Sequence, residues 1–299
     1  MIDVSGVFYS YKKNIITLKN ITKTFEQGKI YGIVGPNGAG KTTLLNVMSG
    51  VHTPGAGRIL VDSYDIVNDR EKSIKKIGLM PDGSFLDPDE KIINQMMHFG
   101  SYYDLSIKEA RERALSLMNK FGLSEQFSRK SMRNLSLGQR RRVGLTMALL
   151  HDPDNILMDE PYNGFDPFGI KMVTDIMLEA RNSGKTVIVS SHILKEVQSV
   201  ADEFVYLENG QLLKSIDIET MSKNIGKIWV KVLNPDDNLL RLLQTFGSVR
   251  RVNQAYEITT PSDNKVETSE INSALVKENY KVDSIYYEKR TVEDEFFSK

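Results

Sequence analysis

The sequence predicts an α/β protein followed by a small α+β domain. Short apolar runs alternate with helical patterns, and four runs are candidate strands: Lys29–Gly35, Lys76–Pro81, Asn155–Glu160 and Thr186–His192. Three of the four are nearly continuous apolar runs, which are typical of strands buried on both faces of a parallel sheet. The segment Glu203–Ile216 predicts a hairpin, because its Asn209-Gly210 pair suits a two-residue turn with positive φ.

Strand patterns are missing between Gly83 and Arg142, where the periodicity is helical. Ser106 is a candidate N-cap, and Glu109 stands three residues later as in a capping box. We therefore expect a helical subdomain at about residues 83–142, inserted into an α/β body that spans residues 1–222. Residues 225–299 show the pattern order β-α-β-β-α-β of a ferredoxin-like sandwich.

Composition excludes several classes of function. Lys plus Arg and Asp plus Glu each number 39, so the net charge of zero provides no global field for nucleic acid or an anionic membrane. The short run QRRR at Gln139–Arg142 is predicted to be a partly solvated helix face. The chain has no cysteines, which excludes disulfides and thiolate metal sites and is consistent with a reducing cytosol.

Targeting and membrane signals are weak. The first residues, MIDVSGVFYSYKKN, lack the basic start and apolar core of a signal peptide. The longest apolar run, Val143–Leu150, is far shorter than the ~20 residues that span a bilayer. We therefore expect any membrane role to depend on a partner.

The stretch GPNGAGKTTL, Gly35–Leu44, matches G-x-x-x-x-G-K-[ST] between a predicted strand and a predicted helix. Backbone N–H groups can surround a phosphate only where side chains are absent, and a helix N-terminus adds unpaired donors. The candidate phosphate-binding residues are Gly35, Pro36, Asn37, Gly38, Ala39, Gly40, Lys41, Thr42 and Thr43. Lys41 can reach the β- and γ-phosphates, and Thr42 can ligate Mg²⁺. The strand–loop–helix context disfavours the alternative, a glycine-rich turn that matches by chance.

The predicted strand NILMDEP ends in two carboxylates, Asp159 and Glu160. Asp159 is a candidate Mg²⁺ ligand, and Glu160 is a candidate for orienting or deprotonating the attacking water. Taken alone, such a pair is more often a solvated strand end. Together with the glycine-rich loop, it predicts a site for hydrolysis of a Mg²⁺-bound triphosphate.

A third motif, LSLGQ, opens a predicted helix within Asn134–Pro153. Five residues alone would also fit an ordinary capped helix. With the other two motifs in this order, however, about residues 1–220 resemble the ATP-binding subunits of ABC transporters. The resemblance implies a P-loop ABC ATPase with a RecA-like core, and it implies ATP and Mg²⁺ as cofactors. It also implies that Ser136 and Gly138, with Gln139 beside them, face the γ-phosphate held by a second subunit.

Three further residues take roles only from this resemblance. Asp166, in Tyr162–Gly169, would lie in the D-loop at the subunit interface, and His192 would contact the γ-phosphate. Tyr11 stands where the family has an aromatic side chain that stacks on adenine. Without the resemblance, the histidine would more often be a surface residue and the tyrosine a packing residue.

Two residues depart from the family pattern. Asp82 replaces a glutamine that touches Mg²⁺ and the water; a carboxylate can still coordinate Mg²⁺ but adds negative charge beside a triphosphate. Leu137 replaces a glycine in the signature, so its side chain is expected to point away from the nucleotide. The contacts of Ser136 and Gly138 can survive that replacement.

The segments LSLG, NGFDPFG and TVEDEFF resemble the bacterial branch that exports drugs and peptides, with bacitracin-type and phenol-soluble-modulin-type members. This resemblance implies a cytoplasmic subunit, peripheral at the inner face of the cell membrane. It would pair head to tail with a second ATP-binding subunit, itself or a paralogue, and drive a separate transmembrane permease. We expect the permease to contact the loop DGSFLDPDE and the helical insertion, where Phe85 and Leu86 form either that contact or local packing.

Other classes remain open from the sequence. One is an ABC ATPase that moves no solute, such as an iron–sulfur assembly type. Another is a regulatory nucleotide-binding module without hydrolysis, against which the position of Glu160 argues.

Overall fold

The computed structural model describes residues 1–12, 15–83, 86–218, 227–259, 266–288 and 296. The chain divides into two compact units, Met1–Ser215 and Ile216–Lys299. The predicted domain boundary at residues 223–224 lies outside the described residues, as do Phe85 and, apart from Phe296, the segment TVEDEFF.

The first unit combines two sheets with a set of helices. Its described strands are β1 (Ile2–Lys12), β2 (Ile15–Phe25), β3 (Ile30–Val34), β4 (Ala56–Val61), β5 (Tyr64–Asp65), β6 (Ile77–Met80), β7 (Asn155–Asp159), β8 (Thr186–Ser191), β9 (Glu203–Glu208) and β10 (Gln211–Asp217). Its described helices are α1 (Lys41–Met48), α2 (Arg70–Ile74), α3 (Ile92–Ser101), α4 (Ile107–Lys120), α5 (Glu125–Ser128), α6 (Leu137–Leu149), α7 (Pro167–Asn182) and α8 (Leu194–Gln198), and a 3₁₀ turn spans Met132–Asn134.

The six-stranded sheet has the order β10-β9-β3-β8-β7-β6 and contains all four strands predicted from apolar runs. Strands β6, β7, β8, β3 and β9 pair in parallel, and every residue of β3, β7 and β8 is buried. The predicted hairpin turn is confirmed, with φ of 50° at Asn209 and 77° at Gly210. Because parallel strands end at one edge, this sheet brings Gly35, Glu160 and His192 to the same edge.

The antiparallel sheet β2-β1-β4-β5 was not predicted from the sequence. In β1 and β2, exposed or half-exposed residues interrupt the buried ones at irregular intervals, so neither strand forms a continuous apolar run. The buried face contributes Val4 and Leu18 to one core with Leu44 and Leu45 of α1 and Ile188 of β8. This sheet therefore packs over the helix that follows the glycine-rich loop.

The helical segment predicted at residues 83–142 contains α3, α4, α5 and α6, and α6 continues to Leu149. These helices share a separate core that includes Ile92, Met118 and Val143. The predicted capping box is confirmed, since Glu109 N donates to Ser106 Oγ at 3.2 Å and Ser106 N donates to Glu109 Oε2 at 2.9 Å. Such a box satisfies two donors that would otherwise lack partners at the start of α4.

The second unit has the order predicted for a ferredoxin-like sandwich. Its described elements are β11 (Lys227–Val232), α9 (Asp237–Gln244), β12 (Ser248–Val252), β13 (Ala255–Thr259), α10 (Thr268–Lys277) and β14 (Val282–Glu288). The strands form an antiparallel sheet with the order β12-β13-β11-β14, which is the split β-α-β arrangement. Ile228 and Val230 of the sheet pack with Leu239 of α9 and Leu275 of α10.

Candidate nucleotide-binding site

The glycine-rich loop joins β3 to α1 and surrounds the Lys41 ammonium group. Lys41 is only 7% exposed, and its Nζ donates to the carbonyls of Gly35 at 2.8 Å and Pro36 at 3.2 Å. Burial lowers the pKa of Lys41, whereas the carboxylates of Glu160 and Asp159 oppose that shift. The buried ammonium group of Lys41 has few partners besides these carbonyls and carboxylates, so it can bind an added anion.

Backbone conformation explains the glycines of the loop. Gly38 has a φ of 80° and Gly40 a φ of 106°, a region that other residues rarely adopt. A Cβ at Gly40 would also come within 3.0 Å of Leu18 Cδ2. The turn between β9 and β10 anchors the loop, because Gly210 N donates to the carbonyl of Ala39 at 3.0 Å.

A cavity of about 430 Å³ opens in front of this loop. It is lined by Thr17, Asn37, Gly38, Gly40, Lys41, Thr42, Thr43, Asp82, Glu160, Asn163 and His192. The cavity thus collects predicted phosphate-binding, metal-binding and catalytic residues from four places in the sequence. Thr17 and Asn163 were not predicted as site residues. Asn163 begins the segment NGFDPFG, whereas Thr17 has no distinctive sequence signal.

A serine of β8 bridges the Asp159 carboxylate and the backbone N–H of Glu160 at the end of β7. Ser190 Oγ donates to Asp159 Oδ1 at 2.6 Å and accepts from Glu160 N at 2.9 Å. Asp159 is only 2% exposed, and its Oδ2 has no hydrogen-bond partner within the described part of the chain. An ionised buried carboxylate oxygen without a partner is costly, so it suits a bound cation. Thr42 lines the cavity, whereas Asp159 does not line it but directly precedes Glu160, which does. Carboxylate and hydroxyl oxygens at this edge fit Mg²⁺, which prefers hard oxygen ligands.

Glu160 is held on both carboxylate oxygens. His192 Nδ1 lies 2.9 Å from Glu160 Oε2, and Lys41 Nζ lies 3.8 Å from Glu160 Oε1. Glu160 also has a positive φ of 46°, which is uncommon for a residue with a side chain. This backbone turn points the carboxylate of Glu160 into the cavity while Asp159 stays buried.

The signature residues line a different cavity. Ser136, Gly138, Gln139 and Asp166 lie around a space of about 390 Å³, which is separate from the one lined by Lys41. Ser136 caps α6 in a reciprocal capping box, in which Gln139 N donates to Ser136 Oγ at 3.3 Å and Ser136 N donates to Gln139 Oε1 at 3.0 Å. A helix N-terminus of this kind presents N–H donors to an anion. Within one chain, the donors around Lys41 and the donors at the start of α6 therefore line separate cavities.

Asp166 begins helix α7 at the edge of this second cavity. Its Oδ1 accepts from Gly169 N at 2.7 Å, so the carboxylate caps the helix.

Tyr11 lies at the end of β1 and is 54% exposed. Its hydroxyl is 3.2 Å from Thr43 Oγ1 of α1, which places the ring beside the glycine-rich loop. The ring also meets Tyr9 and His52 edge-on, at centroid distances of 5.0 Å and 5.4 Å. These two supporting residues were not predicted, because β1 was not recognised as a strand.

The two residues that depart from the family pattern occupy distinct positions. The side chain of Leu137 is 62% exposed and packs against Gly164, where a Cβ would come within 2.7 Å of Leu137 Cδ2. Leu137 lines neither the cavity of Lys41 nor that of Ser136. Asp82 lines the cavity of Lys41 but is also ion-paired with Arg141.

Arg141 corrects one expectation from the sequence. The run Gln139–Arg142 was predicted to be a partly solvated helix face, which describes the exposed Arg140. Arg141, in contrast, is buried at 8% exposure. The prediction fails there because Arg141 points from α6 toward the end of β6, where Pro81 O accepts from it at 3.1 Å.

None of the helices described above is long and apolar enough to cross a bilayer.

Together these features define the class of protein. A strand, a glycine-rich loop and a helix hold a buried lysine, and a parallel strand of the same sheet ends in the Asp159-Glu160 pair. This is the arrangement of a P-loop nucleoside-triphosphatase.

Comparison with known proteins identifies the family. Residues 18–163 match the ABC transporter family. The chain is 31% identical to the ABC transporter ATP-binding protein NatA of Bacillus subtilis, over 73% of this chain and 89% of NatA. It is 30% identical to the Nod factor export ATP-binding protein I of Ralstonia nicotianae, over 81% of this chain and 75% of that protein.

A solved structure of a dimeric bacterial ABC transporter cassette, MJ0796, superposes with a TM-score of 0.67 at 27% identity. The match covers 73% of this chain and 99% of the cassette. This chain belongs to the family of ABC transporter ATP-binding proteins, and it is an ATPase that binds ATP.

Proposed function

We propose that this chain dimerises head to tail on ATP and drives a separate permease that exports a peptide, a drug or another amphipathic molecule. The head-to-tail dimer is inferred from one observation, that the two groups of phosphate-binding donors lie apart within one chain. Lys41 lines one cavity, while Ser136 and Gly138 line another. Two copies that face each other in opposite directions would bring each set of donors onto the same triphosphate, with Asp166 between them. ATP then stabilises the closed pair, and hydrolysis allows it to open.

Within each composite site, this chain's residues have distinct tasks. Lys41 and the loop N–H groups hold the β- and γ-phosphates, and the ring of Tyr11 stacks on adenine. Glu160 accepts a proton from the attacking water, and His192 keeps the carboxylate in place. Asp159 and Thr42 are the residues that would hold Mg²⁺, which when bound neutralises charge on the phosphates. Asp82, the third candidate from the sequence, is instead ion-paired with Arg141.

The permease contact is proposed at the end of β6. A cavity of about 240 Å³ lies between the loop after β6 and helix α6, and most of its lining is apolar. The lining residues are Met80, Pro81, Asp82, Gly83, Leu86, Leu137, Arg140, Arg141, Gly144 and Met147. A short amphipathic helix of the permease could lay its apolar face there. Such a contact would place the subunit in the cytoplasm, at the inner face of the membrane.

Export rather than import is supported by the relative named for Nod factor export and by the motifs LSLG and NGFDPFG. The bacitracin-type or phenol-soluble-modulin-type branch is the proposed group. The second candidate, an ABC ATPase without a transport partner, would have the same ATP site but no permease. Pull-down of the tagged chain from native membranes distinguishes the two, since an integral membrane protein must co-purify if a permease is the partner.

A mixing experiment tests the head-to-tail pair. Lys41→Ala and Ser136→Arg are each expected to abolish phosphate release when the variant is the only chain present. A 1:1 mixture of the two should regain activity, because a mixed dimer has one composite site with both an intact Lys41 and an intact Ser136. The matched control mixes Lys41→Ala with Lys41→Ala/Ser136→Arg, in which every composite site is defective.

Activity in the control mixture, or an active Ser136→Arg variant alone, would contradict the composite site. A pair formed with a paralogue would leave the first mixture inactive unless that paralogue is added. Co-purification of such a paralogue therefore decides between the homodimer and the heterodimer.

A further inference from the structure

Asp82 brings a negative charge to a cavity built for a triphosphate. Asp82 lines this cavity with Lys41, Thr42 and Glu160. A free carboxylate at that position would repel ATP, because the effective dielectric near a protein surface leaves unit charges coupled over several ångströms. The charge must therefore be compensated if the cavity is to bind an anion tightly.

Arg141 supplies that compensation from the neighbouring helix. Its Nη2 is ion-paired with Asp82 Oδ1, and its Nη1 donates to Pro81 O at 3.1 Å. The two groups are asymmetric, since the side chain of Arg141 is 9% exposed and that of Asp82 is 53% exposed. Arg141 is thus fixed in the protein interior, and its guanidinium pairs the more exposed carboxylate on the side of α6.

The location of Arg141 links two parts of the site. Arg141 lies on the second turn of α6, the helix that begins after Ser136 and presents Gly138. Asp82 follows β6, and β6 pairs directly with β7, the strand that ends at Asp159. The ion pair therefore ties the cavity edge of the parallel sheet to the helix that carries the signature residues.

We propose that Arg141 is a positioning residue that neutralises Asp82 and holds it away from the triphosphate. Without Arg141, the unpaired carboxylate faces the phosphates and weakens ATP binding. Without Asp82, the buried guanidinium of Arg141 remains as an added positive charge near the site and strengthens ATP binding. This inference rests on ATP binding by the chain and not on export or on the permease.

The test is a cycle of variants, with ATP affinity measured at low salt in the presence of EDTA. Arg141→Gln should weaken ATP binding roughly tenfold, the effect of one unit charge about 10 Å away at an effective dielectric of about 20. Asp82→Asn should strengthen ATP binding severalfold. The double variant should bind ATP within about twofold of wild type, because both charges are removed. Each difference should shrink at high salt, where the charges are screened.

Two further variants separate charge from structure. Arg141→Lys keeps the charge and should retain ATP affinity within about twofold. Arg181→Gln breaks another arginine–aspartate pair, Arg181 with Asp202 at 3.1 Å, outside the cavity, and should leave ATP affinity unchanged. A double variant as weak as Arg141→Gln, or weaker binding by Asp82→Asn, would overturn the proposal. Asp82→Asn decides the question alone if Arg141→Gln does not fold. Failure of the dimer-mixing experiment would leave these affinities untouched.

Discussion

His192 Nδ1 lies 2.9 Å from Glu160 Oε2, and this contact joins the end of β8 to the end of β7. An ionised carboxylate only accepts hydrogen bonds, so Nδ1 must carry the proton and donate. Nε2 of the same ring is therefore left for a further partner in the cavity. Because Lys41 approaches the other oxygen of Glu160, the carboxylate is positioned from both sides.

Glu160→Gln is expected to bind ATP, to form the closed dimer and to hydrolyse ATP very slowly. The amide keeps the shape of the side chain but cannot accept the proton of the attacking water, a loss of roughly 10²- to 10⁴-fold in turnover. Phosphate release and light scattering with Mg²⁺ and ATP measure the two properties. Glu179→Gln, which changes an exposed partner of Lys120, is the matched control and should hydrolyse ATP normally. A Glu160→Gln protein that stays monomeric with Mg²⁺ and ATP would contradict the head-to-tail model.

His192→Ala is expected to lower kcat about 10- to 100-fold and to change KM for ATP less, because the ring orients Glu160 rather than the bulk of the nucleotide. His192→Asn can still donate one hydrogen bond to Glu160 and should retain more activity than His192→Ala. Steady-state phosphate release gives both constants. His98→Ala, a substitution at an exposed position of α3, should leave both unchanged. Equal losses in the two His192 variants would argue that the hydrogen bond to Glu160 does not matter.

The local features of the site could be predicted from the sequence. The glycine-rich loop, the Asp159-Glu160 pair and His192 each follow an apolar strand directly, and parallel strands end at one edge of a sheet. The same reasoning failed for the antiparallel sheet, because exposed or half-exposed residues interrupt the buried ones in β1 and β2. Sequence alone therefore located the reaction edge of the first unit but not the layer that brings Tyr11 to it.

Contacts between distant residues could not be predicted in this way. Ser190 sits in an apolar strand, and its role depends on the register that pairs it with Asp159. A register shift of one residue would turn its hydroxyl to the opposite face of the sheet. The ion pair of Asp82 with Arg141 likewise depends on how α6 packs against β6, which no local pattern encodes.

Ser190→Ala is expected to reduce both stability and turnover. The hydroxyl is shared by Asp159 Oδ1 and Glu160 N, so its removal leaves two buried polar atoms without this partner. Losses of about 1–3 kcal/mol in the free energy of unfolding are typical of such changes. Urea unfolding measures the stability, and the Mg²⁺ concentration for half-maximal ATP turnover reports on Asp159. Ser183→Ala removes an exposed hydroxyl that donates to Glu179 O and should change neither quantity.

Protein stability is expected to fall as the pH drops from about 6.5 toward 4 because of His151. Its ring stacks on Tyr103 at 3.7 Å, Nε2 donates to Ile77 O at 3.0 Å, and Nδ1 is buried without a partner among the described residues. Burial, the largest cause, lowers the pKa of His151 from 6.5 to about 4. Between these two pH values the ring therefore takes up a proton in the unfolded chain but not in the folded chain. The contribution of His151 to stability is fully present above pH 6.5 and is lost as the pH falls toward 4.

The full loss from this one group is about 3 kcal/mol, from 1.36 kcal/mol per pKa unit. Urea unfolding at several pH values between 7 and 4 measures it. Carboxylates also titrate near the lower end of this range, so the comparison is with His151→Gln, which cannot take up the proton. The variant should lose less stability than wild type between pH 6.5 and pH 5, whereas His98→Gln should follow wild type. Identical pH dependence in wild type and His151→Gln would show that His151 is not the group responsible.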